Sequence, residues 1–228
     1  MRPITSGIGS APYHLAKCLA IALSGTMGII CDSHLRNANV LIRQLQNSSC
    51  KNKELVSFDV KSLFTNVPTD EAIQAAERVV STMDDSLLLL PERDFIELTK
   101  MCLNFGSFEF AGEEYQQVVG LAMSSPLSPV LSCLYVETLE KDRYRNRVVR
   151  HSTWLRYVDD VLVFVPRRSS LCQMLMHLNT VHAKIQFTIA TLFDTIWTAG
   201  QGIFAVRVYL AHDYLLRVWP CVIPHPQY

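Results

Sequence analysis

Three aspartates are the residues of this sequence best suited to chemistry. Asp59 stands near the end of an alternating apolar run, and Asp159 and Asp160 lie together between the apolar runs 154–158 and 161–165. Carboxylates from separate segments that meet at one end of a sheet can share a hard divalent cation such as Mg²⁺. Two such ions about 3.5–4 Å apart can promote an in-line phosphoryl transfer. These residue types favour a magnesium site; the alternative for the adjacent pair is a plain acidic turn.

Residues 153–165 predict the element that carries two of these carboxylates. Val, Tyr, Phe and Trp favour strands, and Asp tolerates tight backbone, so the segment predicts a β-hairpin with Asp159 and Asp160 at its tip. Strand alternation then predicts that Asp159 shares a face with Tyr157, whereas Asp160 points the other way with Val158.

Residues 54–60 predict the strand that carries the third carboxylate. Val56, Phe58 and Val60 alternate along it and would form its apolar face. Asp59 would therefore lie on the opposite face. If this strand and the hairpin belong to one sheet, the acids meet at a common edge, and this convergence is the central expectation from the sequence.

The remaining segments predict a mixture of helices and strands. Apolar residues at helical spacing, with proline or capping residues before them and glycine after, indicate the helices. Predicted helices cover residues 11–30, 33–46, 68–83, 91–105, 127–144 and 169–184; a hairpin covers 107–118, and strands cover 185–196 and 203–210.

The composition excludes several classes of protein. The 228 residues carry a formal net charge of zero, so the whole-chain field does not indicate nucleic-acid binding. No apolar run reaches the roughly 20 residues that span a bilayer, and we expect no membrane association. The seven cysteines are odd in number and never spaced C-x-x-C, which favours reduced thiols in an intracellular protein.

The sequence contains, in this order, F-D-V-K-S-L-F-T-N-V-P, Y-Q-Q-V-V-G-L-A-M-S-S-P-L-S-P and W-L-R-Y-V-D-D. Together these motifs closely resemble the reverse transcriptases of Penelope-like retroelements, which are related to telomerase-type polymerases. The resemblance extends over residues 2–190. It implies an α+β fold: a right-hand polymerase palm, with an antiparallel sheet and helices packed on one face, and partial fingers.

The same resemblance implies an RNA-directed DNA polymerase that uses two Mg²⁺ ions. Its partners would be an RNA template, a DNA primer and deoxynucleoside triphosphates, in the nucleus. Residues 1–53 would be the partial fingers, residues 54–190 the palm, and residues 191–228 a degenerate C-terminal segment.

Matching the motifs residue by residue implies the site. Asp59 and Asp159 would bind the metal with the backbone carbonyl of Val60, and Asp160 would support them. Phe64 would lie under the sugar and exclude a 2′-hydroxyl; the alternative is a buried core ring. The full set of implied nucleotide contacts is Arg2, Lys61, Ser62, Leu63, Phe64, Met123 and Ser124; for Arg2 the alternative is a terminal arginine with no role.

A basic segment follows the predicted helix 127–144. Residues 141–151 read K-D-R-Y-R-N-R-V-V-R-H, with a tyrosine among the arginines. Such a segment can contact the phosphates of template or primer, although a solvated helix end is the alternative. The residues expected to contact nucleic acid are Arg143, Arg145, Arg147 and Arg150.

Some residues depart from the family pattern. Ser124 replaces a glycine, which would cost about 1 kcal/mol if the backbone there requires positive φ. Ala190 replaces an acidic residue, and neither a convincing thumb nor the family's GIY-YIG-type endonuclease is evident. We therefore expect a truncated copy. The alternatives are an inactive remnant that binds nucleic acid, and a metal-binding α+β domain with another phosphoryl-transfer reaction.

Overall fold

A computed structural model of the chain describes residues 9–47, 53–83, 88, 90–105, 107–143, 153–166, 170–197, 203–210 and 221–222. The helices in these parts are α1 (Tyr13–Ser24), α2 (Ala38–Asn47), α3 (Leu63–Asn66), α4 (Thr69–Val80), α5 (Glu92–Asn104), α6 (Leu127–Arg143) and α7 (Leu171–Val181). The strands are β1 (Lys53–Val60), β2 (Ser107–Phe110), β3 (Glu113–Gln116), β4 (Thr153–Tyr157), β5 (Asp160–Pro166), β6 (Phe187–Trp197), β7 (Ile203–Leu210) and β8 (Cys221–Val222).

The chain forms two compact units. The helical unit comprises Met1–His34, Ser62–Arg143 and Val181–Ile185, and the sheet unit comprises Leu35–Lys61, Tyr144–Thr180 and Gln186–Tyr228.

Helix α6 is the centre of the helical unit. It packs against α1, α3 and α4, while α5 packs against α1 and α4. Its residues are buried on consecutive positions rather than on one stripe, which is typical of a helix covered on all sides. The buried carboxylate of Glu137 accepts a hydrogen bond from the Gly28 N–H at 2.8 Å, so this unit also fixes the loop after α1.

The sheet unit is built on six antiparallel strands in the order β4-β5-β1-β6-β7-β8. Strand β1 is therefore paired on both sides. Its pairing with β5 is continuous from Lys53 to Asp59, whereas its pairing with β6 shifts by one residue between Ser57 and Phe58, where Ala190 is left without a Cα partner. The shift is a β-bulge, which inserts one extra residue into one strand.

The two faces of β1 pack as the alternation predicts. Val56, Phe58 and Val60 are buried, and the Phe58 ring stacks on Trp154 with 6.2 Å between centroids. Ser57 and Asp59 are half-buried on the other face. Farther from the site, a cluster of Leu35, Leu55, Leu155 and Phe164 packs with Val40 and Leu41, the latter two from α2.

The structure confirms the α+β class with an antiparallel sheet and helices. Helix α1 ends at Ser24 instead of residue 30, because the Thr26 hydroxyl donates to the Leu23 carbonyl at 2.7 Å and Gly28 adopts φ +90°. Helix α2 begins at Ala38 instead of residue 33, since the Leu35 N–H donates to the carbonyl of Arg156 in β4. The division at residues 53 and 190 stays a prediction.

None of the helices in the described parts of the chain combines the length and apolar character that a membrane crossing needs. The described cysteines, Cys18, Cys31, Cys102, Cys133 and Cys172, form no disulfide with one another.

Candidate metal and nucleotide site

Strand β1 brings Asp59 directly opposite Asp160. The two residues are Cα partners at the end of the β1–β5 ladder, so their side chains leave the same face of the sheet. Two carboxylates in this position repel each other, and like charges directly opposite destabilise an antiparallel pair. The sheet therefore places an unfavourable pair at its edge, which a cation would neutralise.

The hairpin that carries the other acids has a two-residue loop, Val158–Asp159. Tyr157 pairs with Asp160 across it, so Asp160 shares the face of Tyr157. The predicted alternation, with Asp159 on that face and Asp160 on the other, was wrong because a tight loop interrupts the strand period. Val158 has φ +54°, a conformation that is uncommon for a β-branched residue.

Asp160 is affected by both of the other carboxylates. Burial, then the negative charge of Asp159, then that of Asp59 raise the pKa of Asp160 above its ordinary value. Like charges oppose each other's ionisation, so the negative charges of Asp159 and Asp59 favour the protonated form of Asp160. The register places Asp59 opposite Asp160, with Asp159 next to Asp160 in the loop; shared metal binding by Asp59 and Asp159 stays a prediction.

Backbone and side-chain donors hold the loop in place. The Val60 N–H donates to the Asp159 carbonyl at 3.1 Å, and the guanidinium of Arg156 donates to the Val158 carbonyl at 3.1 Å. Arg156 is fully buried, which is rare for an arginine. The sequence analysis missed it, although a single arginine inside an apolar strand was a usable signal.

The residues present suit Mg²⁺. Their donors are hard oxygens, and Mg²⁺ is usually bound by one or two carboxylates together with water and substrate phosphates. No group of three or more His, Cys, Asp or Glu side chains in the described chain is arranged to enclose a metal. The predicted ligand set, Asp59, Asp159 and the Val60 carbonyl, contains two carboxylates and stays a prediction.

The predicted nucleotide contacts fall in both units. Lys61 is exposed and follows β1, where its N–H donates to the Gln186 carbonyl at 2.9 Å. In the helical unit, Ser62 precedes α3 with φ +50°, Leu63 is buried and Phe64 is half-buried. Phe64 is thus not a fully buried core ring.

The loop before α6 carries the two remaining predicted contacts. Met123 and Ser124 are half-buried, and Ser124 lines an open cleft in the helical unit. The described non-glycine residues with positive φ are Ser62, Ala111 and Val158, so Ser124 carries no left-handed strain. The penalty considered for a serine at this position does not arise from its backbone.

The basic residues lie largely outside the described chain. Arg2, Arg145, Arg147 and Arg150 are among the residues that the structure does not describe. Arg143 is the last residue of α6, and its side chain is also outside the described part.

Telomerases are among the solved structures that are similar to this chain. Telomerase from Candida tropicalis in complex with a TWJ fragment of telomeric RNA superposes with a TM-score of 0.60 at 11% identity, over 90% of this chain and 38% of that one. Apo telomerase from Candida tropicalis superposes with a TM-score of 0.61 at 11% identity, over 88% of this chain and 41% of that one. Telomerase from Candida albicans in complex with a TWJ fragment of telomeric RNA superposes with a TM-score of 0.58 at 11% identity, over 84% of this chain and 37% of that one.

This chain thus spans about two fifths of the length of these telomerases. No curated protein matches the sequence significantly. Residues 14–191, more than three quarters of the 228 residues, match the family described as reverse transcriptase (RNA-dependent DNA polymerase). The chain therefore belongs to the reverse transcriptase family.

Proposed function

We propose that this chain is the catalytic part of an RNA-directed DNA polymerase that uses two Mg²⁺ ions. The observation that carries the proposal is the facing pair of Asp59 and Asp160, with Asp159 beside them in the loop. Repulsion between these acids lowers the stability of the sheet edge, and a bound cation would offset that repulsion.

The carboxylates of Asp59 and Asp159 and the carbonyl of Val60 would hold the metal, and Asp160 would support the site. Mg²⁺ bound there would supply positive charge for the attacking 3′-hydroxyl and the leaving pyrophosphate. The protein's own contribution is to fix these oxygens. Asp59 is fixed because β1 pairs with β5 and β6, and the loop carrying Asp159 is fixed by the donors from Val60 and Arg156.

The residues after Asp59 would bind the incoming nucleotide. Lys61 is exposed and can approach a phosphate, while Ser62 and Leu63 set the turn into α3. Phe64 would exclude a 2′-hydroxyl, and its half-buried ring supports this role over core packing. Met123 and Ser124 would complete the nucleotide contacts from the loop before α6, and Arg2 would contact the triphosphate.

The origin and partners belong to the same proposal. The motifs favour an origin in a Penelope-like retroelement. Residues 1–53 would be partial fingers, residues 54–190 the palm and residues 191–228 a degenerate C-terminal segment. Its partners would be an RNA template and a DNA primer in the nucleus. Arg143, Arg145, Arg147 and Arg150 would contact their phosphates.

Primer extension on an RNA template tests the activity. Asp159→Asn keeps the shape of the side chain and removes its charge, and we expect it to lower the rate at least about a hundredfold. Glu113→Gln is the matched control, since Glu113 is an exposed acid next to the loop of the β2–β3 hairpin, and its rate should equal that of the wild type.

If the wild type extends the primer no more than Asp159→Asn does, the polymerase assignment fails and only the inactive, nucleic-acid-binding remnant is left. Nucleotide addition that ignores the template would favour a different phosphoryl-transfer reaction. Omission of Mg²⁺ from the wild-type reaction should abolish extension.

A further inference from the structure

The loop before α6 holds the short helix α3 through Gly120. The N–H of Leu121 donates to the Phe64 carbonyl at 2.7 Å. On the other side, the hydroxyl of Thr69 donates to the Gly120 carbonyl at 3.4 Å, a long and therefore weak bond. Gly120 thus lies between the helix that carries Phe64 and the first residue of α4.

A side chain at position 120 has no room. A Cβ atom built there would lie 2.7 Å from the Phe64 carbonyl oxygen and 2.7 Å from both Cα and the carbonyl oxygen of Thr65. All three are backbone atoms, which cannot turn aside as a flexible side chain would. Gly120 also has φ +80°, which favours glycine.

Helix α3 has little stability of its own. It spans only Leu63–Asn66, and a single turn is marginal without contacts to the rest of the protein. It starts from Ser62 at φ +50°, an unfavourable conformation for serine. Contacts from outside the turn therefore set where the Phe64 backbone lies, and the bond from the Leu121 N–H is one of these contacts.

We propose that Gly120 is a positioning residue for sugar selection. Because it lacks a side chain, the loop approaches α3 closely enough for the Leu121 N–H to fix the Phe64 carbonyl, and this fixes the ring that excludes a 2′-hydroxyl. The inference rests on the proposed function, and it extends sugar selection from Phe64 to a residue 56 positions away that does not contact the sugar.

The test is the ratio of kcat/KM for deoxynucleotide over ribonucleotide in primer extension by the full chain. Phe64→Ala calibrates the loss of selection. Gly120→Ala should lower the ratio toward the Phe64→Ala value, on the order of tenfold to a hundredfold, because a small displacement of a positioned group has effects of this size. Gly112→Ala is the matched control, since Gly112 has φ +82° but open space where its Cβ would be.

Each outcome separates the two ideas. No extension by the wild type, or an unchanged ratio in Phe64→Ala, overturns the proposed function. If Phe64→Ala lowers the ratio but Gly120→Ala has the same ratio as Gly112→Ala, only the role of Gly120 is overturned. In the double variant, Gly120→Ala should add nothing to Phe64→Ala; a further loss of the same size would also overturn it.

A second variant covers the case in which Gly120→Ala fails to fold. Thr69→Val removes the hydroxyl that donates to the Gly120 carbonyl and preserves side-chain volume. We expect a smaller shift of the ratio in the same direction, about twofold, and an unchanged ratio would count against the proposal.

Discussion

The two tight hairpins of this protein share a loop length but differ in what surrounds the loop. β2–β3 turns through Ala111–Gly112 and β4–β5 through Val158–Asp159, and the first loop residue has φ +54° in both. In β2–β3 a glycine with φ +82° follows, the usual chemistry for such a turn. In β4–β5 a β-branched residue and an acid occupy the loop, so this backbone is strained.

The surroundings account for the difference. Strands β2 and β3 form a two-stranded sheet whose residues are almost all exposed, so their loop must be favourable by itself. The β4–β5 loop is held by donors from buried Arg156 and from Val60, beside a six-stranded sheet. Strained backbone persists where the surrounding structure determines it, and such positions cluster at active sites.

Removing the buried donor should have the largest effect on this comparison. Arg156→Met leaves the Val158 carbonyl without this donor and a gap in the core, and we expect the free energy of unfolding to fall by about 2–4 kcal/mol. Urea denaturation measures it. The control is Gln116→Met, because Gln116 donates to the Asn104 carbonyl from an exposed position of β3, and its change should stay within about 0.5 kcal/mol. Equal losses would show that Arg156 does not brace the loop.

Relieving the strain should have an intermediate effect of the opposite sign. Val158→Gly removes the left-handed penalty of a β-branched residue, so the free energy of unfolding should rise by up to about 1 kcal/mol. Ala111→Gly should raise it by about half as much, since Ala is less hindered at the same φ. A loss of more than about 1 kcal/mol in Val158→Gly would contradict the presence of strain at this loop.

Neutralising the facing carboxylate should have the smallest effect, and it should depend on pH. The pKa of Asp160 in the folded protein lies above its ordinary value. The wild type therefore loses stability as pH rises from the ordinary pKa through the raised one, whereas Asp160→Asn does not. In metal-free buffer the gain of the variant should grow from acid to neutral pH. It should stay below about 1 kcal/mol, because solvent still reaches the Asp160 side chain despite its partial burial and screens the charge.

Thermal unfolding with EDTA at several pH values measures this difference. Glu113→Gln, at the corresponding position after the β2–β3 loop, should change stability by less than about 0.5 kcal/mol. A gain in Asp160→Asn that shrinks toward neutral pH would contradict the crowding of the three acids.

The sequence predicted those parts of the fold that depend on local pattern. Strand β1 follows from alternation, and the β4–β5 hairpin follows from strand-forming residues on both sides of the aspartate pair. The starts of α4 and α5 follow from the prolines before them. Helix α3 was missed because four residues are too few for a helical period to show.

The register of the candidate site could not be predicted from the sequence, and the roles of its residues stay predictions. Asp59 and the Asp159–Asp160 pair were identified from residue type and motif. That Asp160 faces Asp59 depends on a two-residue loop which the pair Val-Asp does not indicate, because it lacks the glycine or asparagine that marks such loops. The contact of Gly120 with Phe64 joins residues far apart in the chain, which no local pattern reveals.

The different pairing on the two sides of β1 determines where the fold can tolerate the insertion or deletion of one residue. A codon gained or lost inside β1 before Asp59 would turn that carboxylate to the opposite face, because side chains alternate and the β5 ladder has no spare position. On β6 the ladder already accommodates one surplus residue at the bulge. Insertion of one residue should therefore disrupt β1, whereas β6 should tolerate an extra residue at its bulge.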